Sequence, residues 1–268
     1  MQRVFTRLIE VVASALPQRQ INTVFEVGAR DCVESALFAQ TYPQATVYAF
    51  ECNPATLPLC RAAAAANPRI RLTEKAVSDQ PGVIAFYPTD PARSITGTPH
   101  LVAGASSLFV ATGNYPEEKY VQNKIEVETI ALADFMNTNQ IGAIDLMWMD
   151  VQGAELLVLG GMRERIRDLA CLHMEVEFFE IYQGQALFRG VHTKMKAAGF
   201  VLAGFSSYSR YAADAVYFRD DLGVSRLGLW RQHPYLLRNW RKMLQHRAKR
   251  WLLRTLGRPE WPQPKKQD

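Results

Sequence analysis

Several residues able to do chemistry stand where strand-like runs of this chain end. Gly28 follows VFEV, Glu51 follows VYAF, and Asp150 follows the mostly apolar run IDLMWM. His173, Glu175 and Glu177 alternate along LHMEVE, so strand geometry sets them on one face. A glycine lets the backbone approach a ligand closely. A carboxylate at the end of a second strand can accept both hydroxyls of a ribose. Asp150 is the first candidate for a general base, with Glu175, His173 and Glu177 behind it. His173 has the most suitable unperturbed pKa. The competing reading of each residue is ordinary strand-end structure, and a lone histidine there reads equally as a packed, satisfied core residue.

The elements that must position these residues alternate. Strands are expected at Val24–Gly28, Thr46–Glu51 and Ile70–Val77, with an added strand at Val83–Tyr87. Further strands are expected at Val127–Ile130, Ile144–Asp150 and Leu172–Val176. Phe200–Phe205 with Ala215–Phe218 reads as a closing antiparallel hairpin. Helices are expected between them, at Cys32–Thr41 with a capping box from Asp31 to Glu34, from Asn53-Pro54 to Ala66, near Ala131–Met136, and at Val191–Ala198. This rhythm argues an α/β fold with a parallel sheet covered on both faces. Ligands in such folds bind outside the carboxyl ends of the strands, where Gly28, Glu51 and Asp150 all stand. Glu155 falls in a first helical turn and reads as structural, with Gly153 easing the turn before it. Pro88–Tyr120 breaks the rhythm and reads as a loop over the site, with Ser106-Ser107-Leu108 its most ordered part; the alternative is a surface insertion.

Composition narrows the field. The 268 residues suffice for one α/β domain with an appendage. The net charge of +5 is unevenly spread. From Ser225 onward twelve Lys/Arg face two Asp/Glu, a local +10, which leaves nineteen against twenty-four, or −5, in the first 224 residues. Cys32, Cys52, Cys60 and Cys171 include no CxxC pair, which speaks against a zinc site and for free buried thiols. The first loop is GARDCV, short of the GxGxxG of a dinucleotide site, so a pyrophosphate ligand is poorly supported. No P-loop, GxSxG, HExxH or EF-hand loop occurs. The N-terminal run is broken by Glu10 and reads as an amphipathic helix ending near Pro17; no run has the length of a membrane span, and a cytoplasmic location is the default expectation.

Taken in order, VFEVGARD, VYAFECNP, AVSD, SSL, IDLMWMDVQGAELLVLGGM and EVEFFEIYQGQALF make the chain similar to the FkbM-type S-adenosylmethionine-dependent methyltransferases, over about Val24 to Asp220. The resemblance implies a Rossmann-like class I sheet of order 3-2-1-4-5-7-6 with strand 7 antiparallel. It also explains the missing glycines, since the cofactor has no pyrophosphate. It implies that Glu26 and Gly28 contact the amino-acid end of the cofactor, with Arg30 and Asp31 completing the first loop. Glu51 would hold the ribose, Asn53 would lie at that edge, and Ala76, Val77 and Ser78 would flank the adenine. It implies O-methyl transfer to a sugar hydroxyl of a glycan or glycolipid. A pair of oxygen ligands, Asp150 and Glu175, gives Mg²⁺ a secondary reading, not favoured, because no second acidic cluster accompanies them.

The organisation expected is an N-terminal helix (1–22), a methyltransferase domain (23–220) and a basic helical extension (221–268). Within the extension Leu237, Trp240, Leu244, Ala248 and Trp251 recur at helical spacing, with Arg238, Arg241, Lys242, Lys249 and Arg250 mostly away from them. Two readings stay open: a stripe docked on the body or on a second subunit, and a helix lying at an anionic membrane surface, which would place the protein at the inner face of the membrane. An RNA methyltransferase, or a non-catalytic module tethered by the tail, are the alternatives. The acidic body and the lack of a recognised RNA-binding module speak against nucleic acid.

Overall fold

The computed structural model describes residues 2–97 and 99–261. Met1, Thr98 of the irregular stretch and residues 262–268 of the expected tail lie outside them. Ten strands, eight α-helices and three short 3-10 helices organise the described chain. The main sheet takes β1 (Thr23–Val27), β2 (Thr46–Phe50), β3 (Ile70–Thr73), β7 (Ile144–Met149), β8 (Leu169–Glu177), β9 (Phe200–Tyr208) and β10 (Ala212–Arg219). Their order is β3-β2-β1-β7-β8-β10-β9. The neighbours from β3 to β8 pair parallel, while β10 runs antiparallel to both β8 and β9. Counted within this sheet alone, that is the expected order 3-2-1-4-5-7-6 with strand 7 antiparallel.

Alternation along the central strands gives each face its own core. Phe25, Phe50, Met147 and Leu172 point to one side, and Val24, Val47, Leu146 and Cys171 to the other. All six residues of β7 are buried, which is why its sequence is apolar but for Asp145, which is paired with Arg19 at 2.7 Å. The helices α4 (Leu132–Thr138), α5 (Glu155–Gly161) and α6 (Phe188–Ala197) supply buried residues to the first core; α1 (Gln2–Ala15), α2 (Val33–Thr41) and α3 (Leu57–Ala66) supply the second.

Three local expectations are corrected. Ile70–Val77 is not one strand: it breaks at Glu74-Lys75, and β4 (Ala76–Val77) joins β5 (Gly82–Phe86) and β6 (Ile125–Ile130) in a separate three-stranded sheet. Glu74 pairs with Arg61 and Lys75 with Glu128, so the break carries charges that stay at the surface. α2 opens at Val33 behind a left-handed Cys32, with no side-chain cap. Asp31 is drawn instead to the Arg30 guanidinium at 2.9 Å. α3 starts at Leu57 because Asn53 Oδ1 takes Ala55 N–H in an Asx turn and Asn53 O takes Thr56 and Leu57 N–H.

The extension is not detached. α7 (Arg226–Gln232) and α8 (Pro234–Thr255) cover β9, which would otherwise be an open sheet edge. Trp230 Nε1 donates to Ala203 O at 2.7 Å and Asn239 Nδ2 to Phe205 O at 2.9 Å. Leu236, Asn239 and Met243 are the buried residues of α8. The seated stripe is therefore rotated from the one the apolar pattern suggested. Asn239 defeats a purely apolar reading, because it buries an amide to satisfy an edge carbonyl. No described helix is long and apolar enough to cross a membrane.

Candidate active site

An open cleft of about 830 Å³ lies at the carboxyl ends of β1, β2 and β7 and under the irregular loop. Glu26, Gly28, Arg30, Glu51, Asn53, Ala76, Val77 and Asp150, all expected at the site, line it. Asp31 and Ser78 do not. Asp31 is turned to Arg30, and Ser78 is packed under Gly161, where a Cβ would lie 2.1 Å from the Ser78 carbonyl oxygen.

The cofactor side is built on backbone. Gly28 has φ +82°, and a Cβ there would sit 1.9 Å from the carbonyl oxygen of Asp150. The glycine is thus required by the neighbouring strand end, whatever ligand lies above it. Glu51 is fixed by three backbone donors: Arg30 N–H on Oε2 at 2.6 Å, and Cys52 and Asn53 N–H on Oε1 at 2.8 and 2.6 Å. A carboxylate has about four acceptor positions. By that count Oε2 keeps one for a ligand hydroxyl, which narrows the expectation that it takes both. Burial pushes its carboxyl up, and the three donors pull against that. Glu26 is buried, takes the Ser35 hydroxyl and is raised well above the usual carboxylate range by burial. Asn53 Nδ2 donates to Ser106 Oγ at 3.2 Å, tying the second strand end to the loop. Ser106 Oγ also takes Thr89 N–H and donates to Ala103 O, so the loop is fastened where the sequence marked it most ordered.

The acid side is built on side chains. Gln152 Nε2 donates to Asp150 Oδ1 at 2.6 Å and to Glu175 Oε2 at 2.7 Å. Its Oε1 lies 2.9 Å from the Tyr182 hydroxyl, which also reaches Ala105 O at 2.8 Å. Burial pushes Asp150 up to about 6, against the Gln152 donor and with help from Asp214. Burial, then Asp150 and Asp214, hold Glu175 well above the usual range, so it is the protonated partner of the two. Gln152 is in a left-handed conformation at φ +50°, and Gly153, at φ +98°, has no room for a Cβ beside Gln185. Glu155 takes Gly153 N–H at 3.0 Å in the first turn of α5, as its position suggested. The Gln152 amide bridges Asp150 and Glu175, the pair that gave Mg²⁺ its secondary reading. Among the described residues no group of three or more His, Cys, Asp or Glu is gathered to hold a metal ion.

Two other candidate bases stand away from the cleft. His173 is 1% exposed, stacks on Trp148 with ring centroids 4.2 Å apart and bonds Ser206 Oγ through Nε2 at 2.9 Å. Burial lowers it to about 3, so it is neutral. It is the packed core histidine of the two readings, with Trp148 facing the cleft. Glu177 is buried and finds no hydrogen-bond partner among the described residues; burial holds it protonated. Glu175 reaches the cleft only through Gln152. Gln152, Tyr182 and Asp214 were missed as site residues. The first two lie inside the DVQGAE and YQGQ motifs, and Asp214 is placed only by its pairing with Glu175 across β8 and β10.

The match to the methyltransferase FkbM domain covers residues 26–202 and so spans both sides of the cleft. The chain is 31% identical over 170 residues to the 2-O-methyltransferase NoeI of Sinorhizobium fredii, covering 63% of this chain and 68% of that protein. It is 31% identical over 160 residues to the 31-O-demethyl-FK506 methyltransferase FkbM of Streptomyces tacrolimicus, 53% of this chain and 60% of the relative. A third relative, Methyltransferase 1 of Beauveria bassiana, is 25% identical over 191 residues, 67% of this chain and 72% of its own. With a family domain spanning Glu51, Asp150 and Glu175 together, the chain belongs to the FkbM family of S-adenosylmethionine-dependent methyltransferases.

Proposed function

We propose that the protein methylates a hydroxyl oxygen of a sugar-bearing acceptor, with Asp150 as the general base. The observation that carries this is the Asp150 carboxyl, opening into the cleft that Glu51 lines and held near neutrality by burial and the Gln152 amide. The residues fit the cofactor. Glu51 Oε2 and Asn53 meet the ribose edge, Val77 and Phe86 give an apolar wall for the adenine, and Glu26 and Gly28 lie toward the amino-acid end. Asp31 and Ser78 are left outside that set. Bound there, S-adenosylmethionine supplies an electrophilic methyl group on a sulfonium.

Asp150 Oδ1 is taken by Gln152, which leaves Oδ2 to receive the hydroxyl proton. With that proton on Asp150, the hydroxyl oxygen would be free to take the methyl group that the sulfonium supplies, with the neutral thioether as leaving group. Positioning of this in-line displacement can supply about 7–11 kcal/mol, and the base roughly 10²–10⁴-fold. The relatives named as O-methyltransferases support an oxygen acceptor. For a sugar, the support is a pair of half-buried rings, Tyr115 and Tyr120, next to the acid network and backed by the buried Tyr182 and Tyr211. Tyr120 stacks on Tyr182, and Tyr115 meets Tyr211 edge-on at 5.4 Å. Such ring faces can cover the C–H face of a sugar, while the exposed Glu117, whose Oε2 takes the Tyr115 hydroxyl, keeps an oxygen for one of its hydroxyls.

The test is methyl transfer from labelled cofactor to a panel of oligosaccharides and to RNA. Label recovered in an alkali-stable sugar ether is expected. Label in RNA alone, or as an ester, would overturn the reading.

A further inference from the structure

α8 docks through Leu236, Asn239 and Met243, and from Leu244 onward Leu244, Ala248, Trp251 and Leu252 turn to solvent while Leu253 is half-buried. Trp251 is 67% exposed, Leu252 52% and Leu244 40%. At about 100° per residue, Leu237, Leu244, Ala248 and Trp251 fall in one arc beside the docked face. Arg238, Arg241, Lys242 and Lys249 fall in the arc next to it, with Leu252 at the border between the two. Between Pro234 and Thr255 there are seven Lys/Arg and no Asp/Glu. The helix therefore has three sides: one seated on β9, one apolar and open, one basic and open.

Its direction matters as much as its faces. β9 runs parallel to β8, toward the sheet end that carries Asp150 and Glu51. α8 follows it: Leu236 lies against Gly204, and His246 bonds the Tyr208 hydroxyl at the strand's end at 2.7 Å. Beyond the helix Trp261 stacks on Tyr211 and meets Phe179, which touches the Tyr115 ring. The open apolar half of α8 thus projects at the end of the sheet where the cleft lies.

We propose that α8 seats the protein on an anionic lipid surface, with Trp251 and Leu252 in the interface and the basic side facing the headgroups. Trp suits that depth, being apolar with one polar N–H, and a basic amphipathic helix is the usual form of such a segment. A second copy of the chain is the poorer occupant, because two such helices would set cations against cations with no acid between them. Seated this way, with α8 flat in the interface and running alongside β9, the cleft at the strand ends opens along the lipid surface, beside an acceptor carried there.

The test is flotation of the full chain with vesicles of phosphatidylcholine alone and of phosphatidylcholine mixed with phosphatidylglycerol. Binding to the mixed vesicles only, weakening as salt rises, is expected. Trp251→Ser with Leu252→Ser, and separately Lys242→Glu with Lys249→Glu, should each lower the partition by roughly tenfold or more, with affinity for S-adenosylmethionine unchanged as the measure of an intact fold. The proposal is overturned by no flotation, by equal flotation of the variants, or by a dimer that Trp251→Ser with Leu252→Ser splits while vesicles stay unbound. Failure here leaves the sugar-methylation reading standing, since vesicle binding needs no acceptor and no turnover.

Discussion

The two walls of the cleft are made differently. On the cofactor side Glu51 is held by three backbone N–H groups and Gly28 is fitted against a backbone carbonyl. On the acid side Asp150, Gln152, Glu175 and Tyr182 hold one another through side chains drawn from two strand ends and a loop. Backbone donors fix a carboxylate and favour its charged form, which suits a group that only binds. A side-chain network passes a change at one member to the next, which suits a group that must gain and lose a proton. Substitutions on the acid side should therefore change rate and pH dependence, and those on the cofactor side should change affinity.

The largest effect expected is from Asp150→Asn. The amide keeps the shape and cannot take a proton, so methyl transfer should fall by roughly 10²–10⁴-fold. Affinity for S-adenosylmethionine, read by calorimetry, should barely move. Activity within a few-fold of the parent would remove Asp150 as the base. The parent's own pH profile sharpens this. Asp150 works deprotonated and is pushed up to about 6 by burial, so kcat/KM should fall as pH drops through that value. A flat profile there would contradict the assignment. His173 adds nothing to the profile in this range, because burial keeps it neutral.

Glu51→Ala comes next and should reverse the pattern. Loss of hydrogen bonds to a charged group costs about 1.5–3 kcal/mol, or roughly 10- to 150-fold in cofactor affinity. At saturating cofactor the rate should stay near that of the parent. A large loss of rate with intact affinity would erase the distinction between the two walls.

The two walls were also unequally legible in the sequence. Gly28, Glu51 and Asp150 stand at strand ends, and strand ends follow from period and turn residues within a few positions. The sheet order came from the family resemblance, and the strands confirm it. What a local pattern could not supply is contact between distant segments. Asp214 reaches the acid cluster through antiparallel pairing with Glu175. His173 shares a strand face with Glu175, as alternation required, yet Trp148 walls it off from the cleft. The α8 stripe misled for the same reason: the docked side is chosen by edge carbonyls of β9 and by Gly204, and neither is visible in the helix's own sequence.

The smallest effect expected is from Tyr182→Phe, and it is the most discriminating. The ring is fully buried, stacked on Tyr120 and unchanged in shape by the substitution; only the hydroxyl is lost. That hydroxyl is the partner of Gln152 Oε1, and Gln152 is the donor that lowers the Asp150 carboxyl against the pull of burial. A loosened amide spends less time on Asp150. The loss of one neutral hydrogen bond is worth about 0.5–1.5 kcal/mol, so kcat/KM should fall by only about 2- to 12-fold. The sign of the pH effect is fixed by the geometry: with less donation from Gln152, Asp150 keeps its proton to higher pH, and the acid limb of the profile should move upward. A purely structural Tyr182 would lower thermal stability and leave the limb where it is. An unmoved limb with reduced stability would therefore show that the acid wall is a packed cluster, and the contrast with the backbone-built wall would lose its mechanistic meaning.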